Sequence, residues 1–238
     1  MEKQKTWIDN QRIYFYFRKS SRAKRPNLKL KNGKIIVSVP EGFEVDPQNI
    51  LEDNPEWVLK HWKKAEEFRE EIPERVFEDG ESFSVLGDEK TVKVEKRRSN
   101  KVEDDIRLAE HLVDQTSLKD QLEKALREYA RNEFESKTEK YSNLVDEDFE
   151  KIFVRDQTTR WGSCSSNKNL NFNWRLVLGP EHVLEYVVVH ELVHLEHSNH
   201  GREFWSRVEE LYPQYKRSDD WLSENTAKLV FEKDQLQK

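Results

Sequence analysis

"HELVHLEHSNH", His190–His200, holds four of the chain's seven histidines in eleven residues. The stretch before it, "EHVLEYVVV" (Glu181–Val189), is almost wholly apolar. A polar ring placed among such residues is costly unless its nitrogens find partners, so four together need a chemical reason. Gly179-Pro180 marks the start of the run, and proline suits the first position of a helix. The β-branched triplet Val187–Val189 disfavours helix locally, but the length of the run favours it. A helix apolar nearly all round belongs in the centre of a domain.

On that helix, residues four apart lie one turn on and about 40° round. His190 and His194 therefore project side by side and can share one metal ion. Glu191 stands about 100° away, within reach of a water on the ion without binding the ion itself. This is H-E-x-x-H, the pair of ligands plus a base found in zinc peptidases. Zinc polarises a carbonyl and makes water acidic near neutral pH, and Glu191 can take the water's proton and pass it to the leaving amine. A catalytic zinc takes three protein ligands and keeps one position open. His200 leads for the third, provided the helix stops first: on a continuing helix it would point about 80° away from His190, three turns along. Ser198-Asn199 is the expected stop, because Asn tolerates the left-handed conformation at a helix end. Glu203 or Glu210 comes second, if the next helix folds back, and His197 third, a turn past His194.

Upstream, "RWGSC" (Arg160–Cys164) reads as a strand leading into a turn, and "NLNFNWRLVL" (Asn169–Leu178) as one strand. Leu170, Phe172, Trp174, Leu176 and Leu178 would face the core, and Asn169, Asn171, Asn173 and Arg175 the other side. Trp161 reads as core and Cys164 as a small buried residue rather than a nucleophile. Arg160, Tyr212 and Tyr215 have the chemistry to steady an oxyanion, with nothing to choose between them.

Further out, "RIYFYFRKS" (Arg12–Ser20) alternates, and "NLKLKNGKIIVSVP" places two strands around Asn32-Gly33, the dipeptide a two-residue hairpin favours. The first forty residues thus read as a small antiparallel sheet. Pro55 should start a helix, and "ESFSVLG" and "TVKVEKR" read as two more strands. Residues 97–115 lack a clear pattern and are the candidate boundary between an N-terminal β-rich subdomain with one helix (1–100) and a zinc-peptidase-like catalytic domain (116–238). In the latter, Ser117 and Asp120 have capping-box spacing ahead of the helix stripe Leu118, Leu122, Ala125, Leu126 and Tyr129. "KIFVRDQ" is a strand, and Arg202–Leu211 and Trp221 to about Phe231 are amphipathic helices.

Composition narrows the setting. Charged residues (37%) outnumber hydrophobic ones (35%), but 11% aromatics, with seven Trp, can still fill a core. One cysteine excludes an internal disulfide and fits a reducing compartment. "MEKQKTWIDNQ" has no apolar signal core, and no apolar run reaches the ~20 residues that span a bilayer. A cytoplasmic protein without a membrane partner is expected. Residues 1–40 carry seven Lys and four Arg against one Asp and one Glu, a net +9 that leaves -15 elsewhere in a chain of net -6. Such a region is either a solvated surface or a patch for an anionic partner such as nucleic acid.

"RWGSCSSNKNLNFNWRLVL", "YVVVHELVHLEHSNHGREFW" and "SSRAKRPNLKLKNGKIIVSVP" together resemble the YgjP-like metallopeptidase domain family, related to the SprT-like zinc peptidases. The resemblance implies an α+β fold with a zincin-like core: a motif-bearing helix, a small sheet and C-terminal helices. It also implies one Zn2+ ion on His190, His194 and His200, with Glu191 as catalytic base. In zincin-like folds a sheet edge beside the active helix can pair with an extended peptide, so a peptide or protein substrate is expected. Two other functions are weighed against this one. The first is a nucleic-acid-associated module using the basic N-terminal region; the second is a metal-stabilised domain without catalysis.

Overall fold

The computed structural model describes residues 1–157 and 160–232. The chain forms two compact units, one of residues 1–74 with the described residues from Val230 on, the other Arg75–Leu229.

In the first unit β1 (Glu2–Ile8), β2 (Gln11–Ser20), β3 (Asn27–Lys31) and β4 (Lys34–Pro40) form one sheet in the order β1-β2-β4-β3. Both tight turns use positive φ at both central residues, Asp9-Asn10 (47° and 63°) and Asn32-Gly33 (47° and 66°), the backbone a two-residue hairpin requires. Gly33 also meets a ring: a Cβ there would sit 2.6 Å from Phe68 Cδ1. The sheet is not purely antiparallel as expected, because β2 and β4 run parallel. Residues 21–26 carry the chain past β4, so β3 folds back onto the outside of its hairpin partner. Central β4 is buried along its whole length. Ile13, Phe15, Ile35 and Val37 pack under α1 (Pro47–Glu52) and α2 (Pro55–Glu70) through Leu51, Val58 and Trp62. Asp46 caps α1 through Gln48 N–H, and Pro55 opens α2 as its spacing predicts.

The second unit opens with β5 (Ser82–Val85), β6 (Asp88–Glu95), β7 (Lys101–Val102) and β8 (Ile106–Ala109), in the order β5-β6-β8-β7. Residues 97–115, patternless in sequence, thus carry two strands and α3 (Glu110–Gln115). Helix α4 (Leu118–Ser142) begins as its capping box predicts: the Ser117 hydroxyl accepts from Asp120 N–H at 3.1 Å and donates to the Asp120 carboxylate at 2.8 Å. Against it lies a three-stranded sheet, β10 (Gly162–Cys164), β11 (Asn169–Asn173) and β9 (Lys151–Arg155), in the order β10-β11-β9. Phe134 of α4 stacks on Phe172 of β11, centroids 4.5 Å apart.

The strand expected to run to Leu178 stops at Asn173. Trp174–Leu178 is a 3-10 helix, buried throughout, with the Asn173 side chain accepting from Arg175 N–H at 3.2 Å. Asn and Arg therefore do not form a polar face. Arg175 is 7% exposed and meets Asp156 at 2.5 Å, and Arg127 reaches the same carboxylate at 2.8 Å. Then come α5 (Glu181–Glu196), α6 (Arg202–Leu211) and α7 (Tyr215–Asn225). Pro180 sits at the cap of α5 rather than inside it, and α7 starts six residues before Trp221 and gives way to a 3-10 turn at Thr226–Leu229. Among the described residues no helix is long and apolar enough to cross a membrane.

Candidate metal centre

Helix α5 is the central element of the second unit, with nine buried residues from Val183 to Val193. It packs against α4, α6, α7 and β10, so its all-round apolar character has a partner on each side. His190 and His194 emerge one turn apart with ring centroids 5.0 Å apart. The helix then ends at Glu196. His197 turns the chain with extended backbone (φ -126°, ψ 105°), so the stop comes before Ser198-Asn199 and without a left-handed residue. Asn199 Oδ1 accepts from Gly201 N–H at 3.0 Å, shaping the turn into α6.

That bend returns His200 to the helix. Its Nε2 lies 3.0 Å from His190 Nε2 and 3.1 Å from His194 Nε2. Among the described residues these three alone form a group able to hold one ion. His197 takes a different part: its carbonyl accepts from His194 Nδ1 at 2.9 Å. That bond puts the His194 proton on Nδ1 and leaves Nε2 as a lone pair aimed at the cluster, and a carbonyl bonded this way fixes the orientation of a metal-binding imidazole. Glu210 is engaged with Arg207 at 2.9 Å, and Glu203 does not join the group.

Burial favours the neutral form of His190 and His194. Burial, and then the neighbouring His194 and His200, push His190 down to about 3. Burial also lowers His194. A neutral imidazole is the form that binds a metal. Phe204, 1% exposed, lies under all three rings with centroids 4.6–4.9 Å away. Tyr186 and Trp205 flank His190. Three imidazole Nε2 atoms converging within about 3 Å contacts over an aromatic floor fit a borderline-soft divalent ion such as zinc.

Glu191 points the other way, toward β10. It is 5% exposed, and its Oε2 is buried without a hydrogen-bond partner. Burial raises its pKa to about 8, against the Cys164 backbone N–H that bonds to it and the Arg160 charge. Strand β10 presses so closely that a Cβ on Gly162 would stand 2.5 Å from Glu191 Oε1. Beside these groups opens a cleft of about 590 Å³, lined by Gly162, Ser163 and Cys164 on one wall and by Glu191 and the three histidines on the other. Among the described residues β10 is an outer strand, bonded to β11 alone.

The YgjP-like metallopeptidase domain family matches residues 24–225. The chain belongs to that family. Neither the curated proteins nor the solved structures yield a match. Membership makes this YgjP-like chain a metallopeptidase, a hydrolase of peptides or proteins, and implies a bound metal ion.

Several neighbours of the site were not legible in advance. The glycine of "RWGSC" matters because it has no side chain, and Cys164 is half-buried in the cleft wall rather than in the core. Burial, and then the Glu191 charge, push its thiol upward, opposite to what a nucleophilic cysteine needs. Of the oxyanion candidates, Tyr212 is buried with its hydroxyl donating to His182 O at 3.1 Å, and Tyr215 stacks on Trp205 at 5.5 Å. Arg160 alone acts electrostatically on Glu191.

Proposed function

We propose that this YgjP-like chain is a zinc-dependent peptidase in which His190, His194 and His200 hold the ion and Glu191 is the general base. The observation that carries the reading is the meeting of three Nε2 atoms within 3.0–3.1 Å contacts, one helix residue away from a buried carboxylate with an unpartnered oxygen. Zinc bound there supplies Lewis acidity toward a carbonyl and toward water. Glu191 takes a proton from water on its carboxylate and delivers it to the departing amine nitrogen. The open edge of β10 offers backbone donors and acceptors to an extended peptide, which favours substrates chosen by shape rather than by sequence. Zincin-like architecture accounts for this helix-and-edge arrangement.

A metal-stabilised domain without catalysis is the competing reading. A structural zinc takes four protein ligands, whereas no fourth His, Cys, Asp or Glu among the described residues joins the group. Metal analysis and hydrolysis of an unfolded protein decide between them. The parent should carry one zinc per chain and cleave. Glu191→Gln should keep the zinc and lose at least ~100-fold in kcat, the scale of general-base catalysis. His194→Ala should lose the zinc. Full activity in Glu191→Gln removes the assigned base, and a zinc-loaded parent that cleaves no protein removes the peptidase reading.

A further inference from the structure

The first unit carries a second chemically distinctive surface. The β1–β2 register sets Lys3 opposite Tyr16, Lys5 opposite Tyr14 and Trp7 opposite Arg12. Directly paired residues, and residues two apart, share a face of a sheet. One face of this ribbon therefore carries Lys3, Lys5, Trp7, Arg12, Tyr14 and Tyr16, of which Tyr16 is covered and the end from Lys5 to Arg12 is exposed. The other sends Thr6, Ile8, Ile13 and Phe15 into the core. No Asp or Glu occupies the outward face of either strand.

Trp7 is 59% exposed, an unusual position for an indole. The Arg12 guanidinium lies 5.1 Å from its ring, and the Lys3 ammonium 5.2 Å from the Tyr14 ring. Lys3, Lys5 and Arg12 are exposed, and none pairs with a carboxylate among the described residues. Lys19 near the end of β2, and Arg22, Lys24 and Arg25 beyond it, continue the exposed positive charge. The rest of the chain is acidic overall, so this sign of charge is concentrated rather than scattered.

An exposed ring set among uncompensated cations matches one ligand chemistry best. Phosphates take the cations, and an unpaired base stacks on the ring. A duplex hides its base faces, and an acidic peptide has none. From Lys3 to Trp7 the strand spans about 13 Å, enough for a short run of extended nucleotides. We propose that this face of the β1–β2 ribbon binds single-stranded nucleic acid, with Trp7 stacking on a base and Lys3, Lys5 and Arg12 contacting phosphates. The proposal is independent of the peptidase reading and stands or falls without it.

The test is fluorescence anisotropy of the full chain with a labelled oligothymidine of about 20 nucleotides, a duplex of equal length, and phosphatidylserine vesicles as competitor. Three phosphate contacts on a single strand predict binding roughly 20-fold weaker at about 200 mM salt than at about 50 mM. Trp7→Ala should weaken binding about 5-fold or more with the salt slope unchanged. Trp7→Phe, which keeps a ring, should restore most of it. Arg12→Ala should lower the slope by about 0.7. Both positions are exposed, so thermal midpoints should stay near the parent's. No binding at low salt overturns the proposal, as does parental affinity in both Trp7→Ala and Arg12→Ala. Tighter binding to the duplex overturns the single-strand assignment, and displacement by the vesicles assigns the face to lipid instead.

Discussion

Gly162→Ala should displace the Glu191 carboxylate while leaving the histidine cluster intact. The added Cβ would lie 2.5 Å from Glu191 Oε1, 2.7 Å from Cγ and 2.8 Å from Cδ, where carbon contacts want about 3.5–4.0 Å. Neither partner can retreat freely. Gly162 is held in register with Phe172, which is fully buried, and Glu191 is enclosed on a helix packed on every side. Overpacking of this kind costs about 1–3 kcal/mol. The clash is with one side chain, so it should disappear when that side chain is shortened. Urea unfolding of the parent, Gly162→Ala, Glu191→Ala and the double variant forms a double-mutant cycle for the pair. We expect Gly162→Ala to cost about 1–3 kcal/mol in the parent and at least ~1 kcal/mol less in the Glu191→Ala background. Equal costs in both backgrounds would refute the close apposition. In Gly162→Ala, zinc content should match the parent while kcat falls. A rise in KM alone would mean that the glycine serves substrate binding and not the base.

Two further perturbations probe the supports of the site. Asn173 is 2% exposed and donates through Nδ2 to Gln157 O at 2.6 Å and Arg160 O at 3.3 Å. Asn173→Ala should therefore destabilise by about 1–3 kcal/mol in urea titration, since both of these hydrogen bonds are lost, and a loss under ~0.5 kcal/mol would show that the clamp is idle. On α5 itself, burial raises Glu185, but hydrogen bonds from Lys140 and Lys137 of α4 outweigh it and hold its carboxyl below the usual range. A carboxyl depressed in the folded state binds fewer protons there than in the unfolded chain. The stability it adds is present above the ordinary Glu range and is lost as pH falls through the lowered folded value. Thermal midpoints read across the acid range should therefore drop less steeply in Lys137→Ala/Lys140→Ala than in the parent. Parallel curves would show that the pair contributes nothing through Glu185.

Reading the chain from its residues succeeds wherever the information is local. The i, i+4 placement of His190 and His194 follows from helix geometry alone. So do the Ser117 capping box and the hairpin at Asn32-Gly33, where a few consecutive residues fix the backbone. The run Asn169–Leu178 shows the limit. Its alternation fits a ten-residue strand, yet beyond Asn173 every side chain is buried, and a chain enclosed on all sides has no solvent face for alternation to mark. The parallel pairing of β2 with β4 is equally invisible, because nothing in either strand records which neighbour it will pair with.

The same division runs through the candidate site. Which residue types are present, and which two imidazoles share a helix face, is written in eleven consecutive letters. Whether His200 comes back to them depends on where α5 stops, and the helix ended earlier and by a different backbone than Ser198-Asn199 suggested. The burial of Glu191, its contact with the Cys164 amide and the need for glycine at 162 arise only when β10, some thirty residues upstream, is packed onto α5. Spacing along a helix is a property of covalent geometry and hydrogen bonding within one segment. The approach of two segments is decided by the side chains of the whole unit filling a common interior.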